Sequence, residues 1–127
     1  MIVLDTHAWI WLCSEPSCLG RKARAALARE RAKAVCAISC WEIAMLHAKG
    51  RIELDRDPVA WMEDALVAED LDLLPLTPAI AVVSAQLARF HGDPADRLIV
   101  ATALTHGARL VSRDEKLASS GLVEVLW

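Results

Sequence analysis

Short apolar runs recur along this chain, and each gives way to an acidic residue at or near a helix start. Asp5 follows Met1-Ile2-Val3-Leu4, Glu42 follows Val35-Cys36-Ala37-Ile38-Ser39, and Asp114 follows Leu110-Val111-Ser112-Arg113. Asp96 stands at the opening of Asp93-Pro94-Ala95-Asp96-Arg97-Leu98-Ile99-Val100. Strand-like runs alternating with longer helical stretches are the signature of a parallel sheet covered by helices. In such a sheet all four carboxylates can converge at the carboxyl edge, where open α/β folds place their ligands. Four negative charges held close together repel strongly in a site of reduced dielectric, and a divalent cation is the simplest relief.

The pattern predicts strands near residues 2–5, 34–38, 71–75, 108–112 and 123–126, with helices over most of the rest. Cys13 to Gly20 form a loop after a short first helix, and Gly20 precedes a basic helix with an apolar stripe of Ala23, Ala26 and Leu27. Gly50 closes the helix that begins after Ser39, and Gly107 closes the buried helix Leu98–His106. Pro58 and Pro78 fall in first turns of two more helices, where a missing N–H costs nothing.

A chain of 127 residues is expected to form one domain over residues 1–127 and to bury about two-thirds of the surface its unfolded form would expose. Its 55% apolar and 24% charged residues describe a compact core rather than a disordered chain. The longest uncharged run, between Asp72 and Arg89, contains Pro75 and Pro78 and falls short of the ~18–20 residues that span a bilayer. Asp5 and His7 stand where a signal peptide would carry an unbroken apolar stretch, so the expectation is a cytoplasmic protein without a membrane role. Cys13, Cys18, Cys36 and Cys40 lack the paired spacing of a zinc site and are expected to be reduced thiols. The net charge of −3 argues against a surface that grips nucleic acid everywhere. Arg21, Lys22, Arg24, Arg29, Arg31 and Lys33 nevertheless crowd one segment, either as a solvated helix face or as a local track for phosphates.

Each acid also has a structural explanation. Ser39-Cys40-Trp41-Glu42 fits a capping box, with Glu42 reaching back to the Ser39 N–H. Asp93-Pro94-Ala95-Asp96 reads as an N-cap, a first-turn proline and a carboxylate favoured by the helix dipole. Asp114 can cap the helix Glu115-Lys116-Leu117. Asp5 is harder to dismiss, because a carboxylate ending an apolar strand is about to be buried and needs a partner or a metal. Oxygen-only ligands select hard cations, so Mg²⁺ or Mn²⁺ fits and zinc does not. His7 reads as packing beside the ligands, while His47, His91 and His106 fall at helix ends or turns.

Leu4-Asp5-Thr6-His7-Ala8-Trp9-Ile10-Trp11, Ser39-Cys40-Trp41-Glu42-Ile43, Asp93 through Ala103, and Val111-Ser112-Arg113-Asp114 together resemble the ordered motifs of PIN-domain ribonucleases. More narrowly, the chain is similar to the VapC-type toxins of bacterial toxin–antitoxin pairs, and the resemblance spans essentially its whole length. It implies a three-layer α/β/α sandwich with a central parallel sheet, Mg²⁺- or Mn²⁺-dependent endonuclease activity on RNA, homodimerisation, and inhibition by a cognate antitoxin. The family's acidic positions carry over onto Asp5, Glu42, Asp96 and Asp114 as catalytic metal ligands. Thr6 and Ser112 match the assisting hydroxyl positions, although Ser112 also fits as strand structure; Asp93 reads as a cap before it reads as a ligand. Arg97 and Arg113 adjoin two acids and either meet substrate phosphates or pair with the same carboxylates.

The implied chemistry is attack of a metal-activated water on a phosphodiester, with no side-chain nucleophile. One rival class is an aspartyl-phosphate phosphatase. It would want a second Asp two residues after the first, where this chain has His7, or a late lysine after a strand. The other rival is a non-catalytic binding domain whose acids are all caps. Trp9, Trp11, Trp41, Trp61 and Trp127 are many for a small core, so some should mark dimer or antitoxin surfaces, with a groove near the first helix and the Trp41 helix for an amphipathic partner segment.

Overall fold

A computed structural model describes residues 1–87, 90 and 92–127, so His91 lies outside the described residues. In chain order the elements are β1 (Ile2–Leu4), α1 (Thr6–Ser14), a single 3-10 turn (Pro16–Cys18), α2 (Arg21–Arg29), β2 (Lys33–Cys36) and α3 (Ala37–Ala48). There follow α4 (Pro58–Ala68), β3 (Leu71–Leu74), α5 (Pro78–Ala85), α6 (Pro94–Thr105), β4 (Arg109–Val111), α7 (Glu115–Ser119) and β5 (Val125–Leu126). The five strands form one sheet in the order β3-β2-β1-β4-β5, and every pairing is parallel. The sheet is flanked by helices on both faces, which is the three-layer α/β/α arrangement the sequence implied.

β1 explains the layering. It is the central strand, and Ile2, Val3 and Leu4 are all fully buried, so it reads as an unbroken apolar run rather than an alternating one. Because strand side chains alternate faces, Ile2 and Leu4 enter the core built with Trp9, Leu27, Ile43 and Trp61 from α1 to α4. Val3 enters the opposite core with Ile99, Val100, Leu110 and Leu117, where α6 and α7 pack. Each of these large side chains contributes about 1.5–3 kcal/mol by leaving water.

The chain winds outward from β1 through β2 to β3, then crosses back to lay β4 on the other side of β1. The direction of winding therefore reverses between β1 and β4, and the crevice at their carboxyl ends is where such sheets bind ligands. Asp5 leaves β1 there, and Ser112 leaves β4. The backbone N–H of Asp5 donates to Val111 across 3.0 Å and ties the two exits together.

Gly50 and Gly107 close α3 and α6 with φ of +67° and +60°, in open space, so the left-handed turn rather than any steric neighbour selects glycine. Pro58, Pro78 and Pro94 all occupy first turns, and Asp57, Thr77 and Asp93 cap those helices. The predicted capping box is overturned. α3 begins three residues earlier than expected, with Cys36 at its N-cap, which places Ser39 inside the first turn and frees Glu42 for another partner. The last strand is also shorter than expected, Val125–Leu126, with Val123 outside it. Among the described residues no helix is long and apolar enough to cross a membrane.

Candidate active site

Asp5 is the N-cap of α1, its Oδ1 accepting from the Ala8 N–H at 2.8 Å. The cap fixes the carboxylate at the mouth of the β1–β4 crevice, where burial raises its pKa and the Ser112 hydroxyl beside it partly offsets the cost. Ser112, itself buried, accepts from the Asp114 N–H at 3.0 Å, and Asp114 in turn caps α7 through Lys116 at 2.8 Å. One short turn after β4 thus places a hydroxyl next to Asp5 and a second carboxylate across from it.

Glu42 projects from the second turn of α3 and lies 2.5 Å from Thr6 Oγ1, which is also 3.0 Å from the fully buried Ser39 Oγ. Thr6 has one hydroxyl proton. Its donation to the carboxylate leaves Ser39 to donate to Thr6, a relay in which no buried polar group goes unpaired. Burial raises the Glu42 pKa, the Thr6 bond opposes that shift, and the charges of Asp93 and Asp5 reinforce it. Ser39 is the functional side chain that sequence reasoning treated only as a cap.

Asp96 stands in the first turn of α6, and its N–H is capped by Asp93 Oδ1 at 2.8 Å. Its carboxyl is pushed up to about 7, by burial first and then by the charges of Asp93, Glu42, Asp114 and Asp5. That shift joins the acids into one electrostatic unit, since four carboxylates from separate elements all act on Asp96. Asp93 therefore does two things: it caps α6 and it adds charge to the group.

These five carboxylates face a single cavity of about 580 Å³. The rest of its wall is Thr6, His7, Trp11, Ile99 and Arg113. Among the described residues no three of the acids close on one point as a ready-made ion-holding group. The donor chemistry nonetheless fits a hard cation: oxygen ligands only, and an unneutralised negative charge that raises Asp96 until a cation or a proton relieves it.

The two arginines part company. Arg113 is exposed on the cavity wall and pairs with no carboxylate among the described residues, so it remains available to a phosphate. Arg97 meets neither expectation: its guanidinium donates to the backbone carbonyls of Phe90 and Ser84 and does not line the cavity. None of the four thiols lines the cavity. The four cysteines are unpaired, and burial pushes Cys36 up to about 11 and Cys13 up to about 12, far from a thiolate at neutral pH.

The PIN-domain family model matches residues 2–121, which includes every acid of the cavity. The chain belongs to the PIN-domain family. Its likeness to VapC-type members of that family is specific, with 40% identity over 119 residues to Ribonuclease VapC22 of Mycobacterium tuberculosis (strain ATCC 25618 / H37Rv), covering 93% of this chain and 90% of the relative. Among solved structures, the PIN domain superposes on a toxin–antitoxin complex from Klebsiella pneumoniae with a TM-score of 0.69 and 25% identity, covering 100% of this chain and 97% of that one. The VapBC2 crystal structure from Rickettsia felis, bound to a DNA fragment from its promoter, gives a TM-score of 0.72 at 15% identity over 98% and 97% of the two chains. That second likeness is one of fold.

Proposed function

We propose that this PIN-domain protein is the endoribonuclease toxin of a toxin–antitoxin pair, hydrolysing RNA phosphodiesters with Mg²⁺ or Mn²⁺ in the cytoplasm. The observation that carries the reading is Asp96, pushed up to about 7 by burial and by four other carboxylates around one cavity. A purely structural set of helix caps has no reason to crowd charge around one cavity. Support comes also from the relative at 40% identity, which bears the name of a ribonuclease, and from the Klebsiella pneumoniae structure, which is a toxin–antitoxin complex.

Asp5, Glu42, Asp96 and Asp114 would hold the cation, with Asp93 contributing charge while it caps α6. When bound, the cation supplies a water of lowered pKa and neutralises charge gathering on the phosphate. The protein's own groups do the positioning. Thr6 fixes the Glu42 carboxylate by its hydroxyl, and Ser112 orients the backbone of Asp114 next to Asp5. Arg113 reaches the scissile strand's phosphate from the cavity wall. Asp96, whose pKa burial and the neighbouring carboxylates raise to about 7, would have to be ionised to hold the cation.

One domain over residues 1–127 serves as the catalytic unit. Its partners are RNA, a cognate antitoxin and a second copy of the chain. Trp41, 52% exposed on α3, is the aromatic best placed for a protein contact, and it stands on the helix beside α1 where an amphipathic antitoxin segment would lie. Incubating the purified chain with total RNA and Mg²⁺ tests the reading. Discrete cleavage that stops on chelation is expected, and RNA left whole with Mg²⁺ and with Mn²⁺ alike would overturn it.

A further inference from the structure

The acids do not account for the aromatic part of their cavity's lining. α1 begins at Asp5, and its helical spacing places His7 and Trp11 four residues apart on one face. Both line the cavity. Their ring centroids are 5.7 Å apart, and Trp127 lies 5.6 Å behind Trp11, tilted by 60°. The tilted aromatic cluster is built in rather than draped over the surface. The Lys22 N–H holds the Trp127 carbonyl at 3.2 Å, and Gly20 leaves the space that Trp127 fills, because a Cβ there would fall 2.4 Å from the Trp127 backbone. Trp11 is consequently half-buried against a rigid neighbour, with its free side turned to the same space as Asp5 and Asp96.

A cation site needs no aromatic wall, and an apolar ring beside a charged cluster loses nothing by being buried elsewhere. A nucleotide needs both, since its phosphate would meet a cation held by the acids and its base has a π-face to stack. Arg113, which lines the same cavity and pairs with no carboxylate among the described residues, supplies charge for a flanking phosphate.

We propose that Trp11, with His7 at its edge and Trp127 as backing, is a stacking platform for an unpaired base next to the scissile phosphate. An unpaired base suits such a platform, because a base within a duplex cannot leave its own stack without cost. The proposal rests on the nuclease reading above and deepens it.

The test is steady-state cleavage of a single-stranded oligoribonucleotide by the full chain, with an abasic ribonucleotide placed in turn on each side of the scissile phosphate. Trp11→Leu removes the ring and keeps an apolar side chain; it should raise KM roughly ten- to a hundredfold and leave kcat nearly unchanged, as loss of one stacked base predicts. Trp11→Phe should recover most of the loss. On one of the two abasic substrates the wild type and Trp11→Leu should have equal KM, because base and ring then report a single contact. An unchanged KM in Trp11→Leu, or an equal loss on both abasic substrates, overturns the platform. Should Trp11→Leu fail to fold by circular dichroism, His7→Ala at its exposed position must show the same loss of additivity, and purely additive behaviour there overturns it too. A variant that cleaves RNA normally but no longer captures its protein partner would assign the wall to that partner instead. If the wild type cleaves no RNA, the nuclease reading itself has failed.

Discussion

Thr6 Oγ1 donates to Glu42 Oε1 across 2.5 Å, so the first turn of α1 and the second turn of α3 hold one another at the mouth of the sheet. The two residues are 36 positions apart in the chain, and the bond fixes the Glu42 carboxylate in the cavity that Asp5 also lines.

Removing that hydroxyl should be felt at the site more than in the fold. Thr6→Val leaves the Ser39 hydroxyl buried without its partner and should cost about 1–3 kcal/mol of stability. It should also weaken Mn²⁺ binding, measured by titration calorimetry, and slow RNA cleavage. Thr6→Ser keeps the donor and should restore both. Equal Mn²⁺ affinity in Thr6→Val and wild type would remove Thr6 from the site.

Asp96 gives a pH dependence whose sign can be worked out. Its folded pKa, about 7, lies above the unfolded value near 3.8. The folded state therefore binds the proton more tightly, and the stability that proton provides is full below the unfolded value and lost as pH rises through about 7. Asp5 and Glu42, both raised by burial, act in the same direction. Cation-free protein should melt lower at mildly alkaline pH than at mildly acidic pH, and Asp96→Asn should melt several degrees higher than wild type on the alkaline side. Thermal unfolding in chelator across that range checks it; a wild-type melting temperature that climbs steadily with pH would contradict it. Mn²⁺ affinity should strengthen over the same interval.

Asp93→Ala separates the two duties of that residue. Loss of the cap to Asp96 N–H should cost about 0.5–2 kcal/mol in chemical denaturation. RNA cleavage should persist, since four other acids remain. A stably folded Asp93→Ala protein without activity would move Asp93 into the set that holds the cation.

Most of this geometry was readable in the chain, for a physical reason. A buried parallel strand must be apolar throughout, so Ile2-Val3-Leu4 and Leu110-Val111 announce themselves, and acids directly after such strands can only emerge at the sheet's edge. The start of α3 was misplaced because Ser-x-x-Glu is a capping signal whenever nothing else competes for the two side chains. Here Thr6, from a distant helix, did compete. Arg97 was misjudged for a similar reason, its neighbour in sequence being Asp96 while its partners in space are the carbonyls of Ser84 and Phe90. The spacing of His7 and Trp11 was visible, but Trp127 joins them only when β5 closes the sheet beside β4.

The basic segment makes a separate prediction. Arg21, Lys22 and Arg24 are exposed on α2 and pair with no carboxylate among the described residues. With Lys49 and Arg51 they are proposed to track RNA phosphates. Binding of a catalytically silent variant to single-stranded RNA should weaken steeply with salt, and paired Arg21→Gln and Lys22→Gln substitutions should flatten the log–log slope by about 0.7 per lost contact. A slope untouched by the pair would take this face out of the RNA path.

The central claim, that Asp5, Glu42, Asp96 and Asp114 act as one hard-cation site, is met most directly by comparing RNA cleavage in wild type and Asp96→Asn with Mn²⁺ present. The substitution removes one charge from a self-repelling group, so the variant should fold at least as stably and yet lose nearly all cleavage. A folded Asp96→Asn protein that cuts RNA at the wild-type rate would contradict the account.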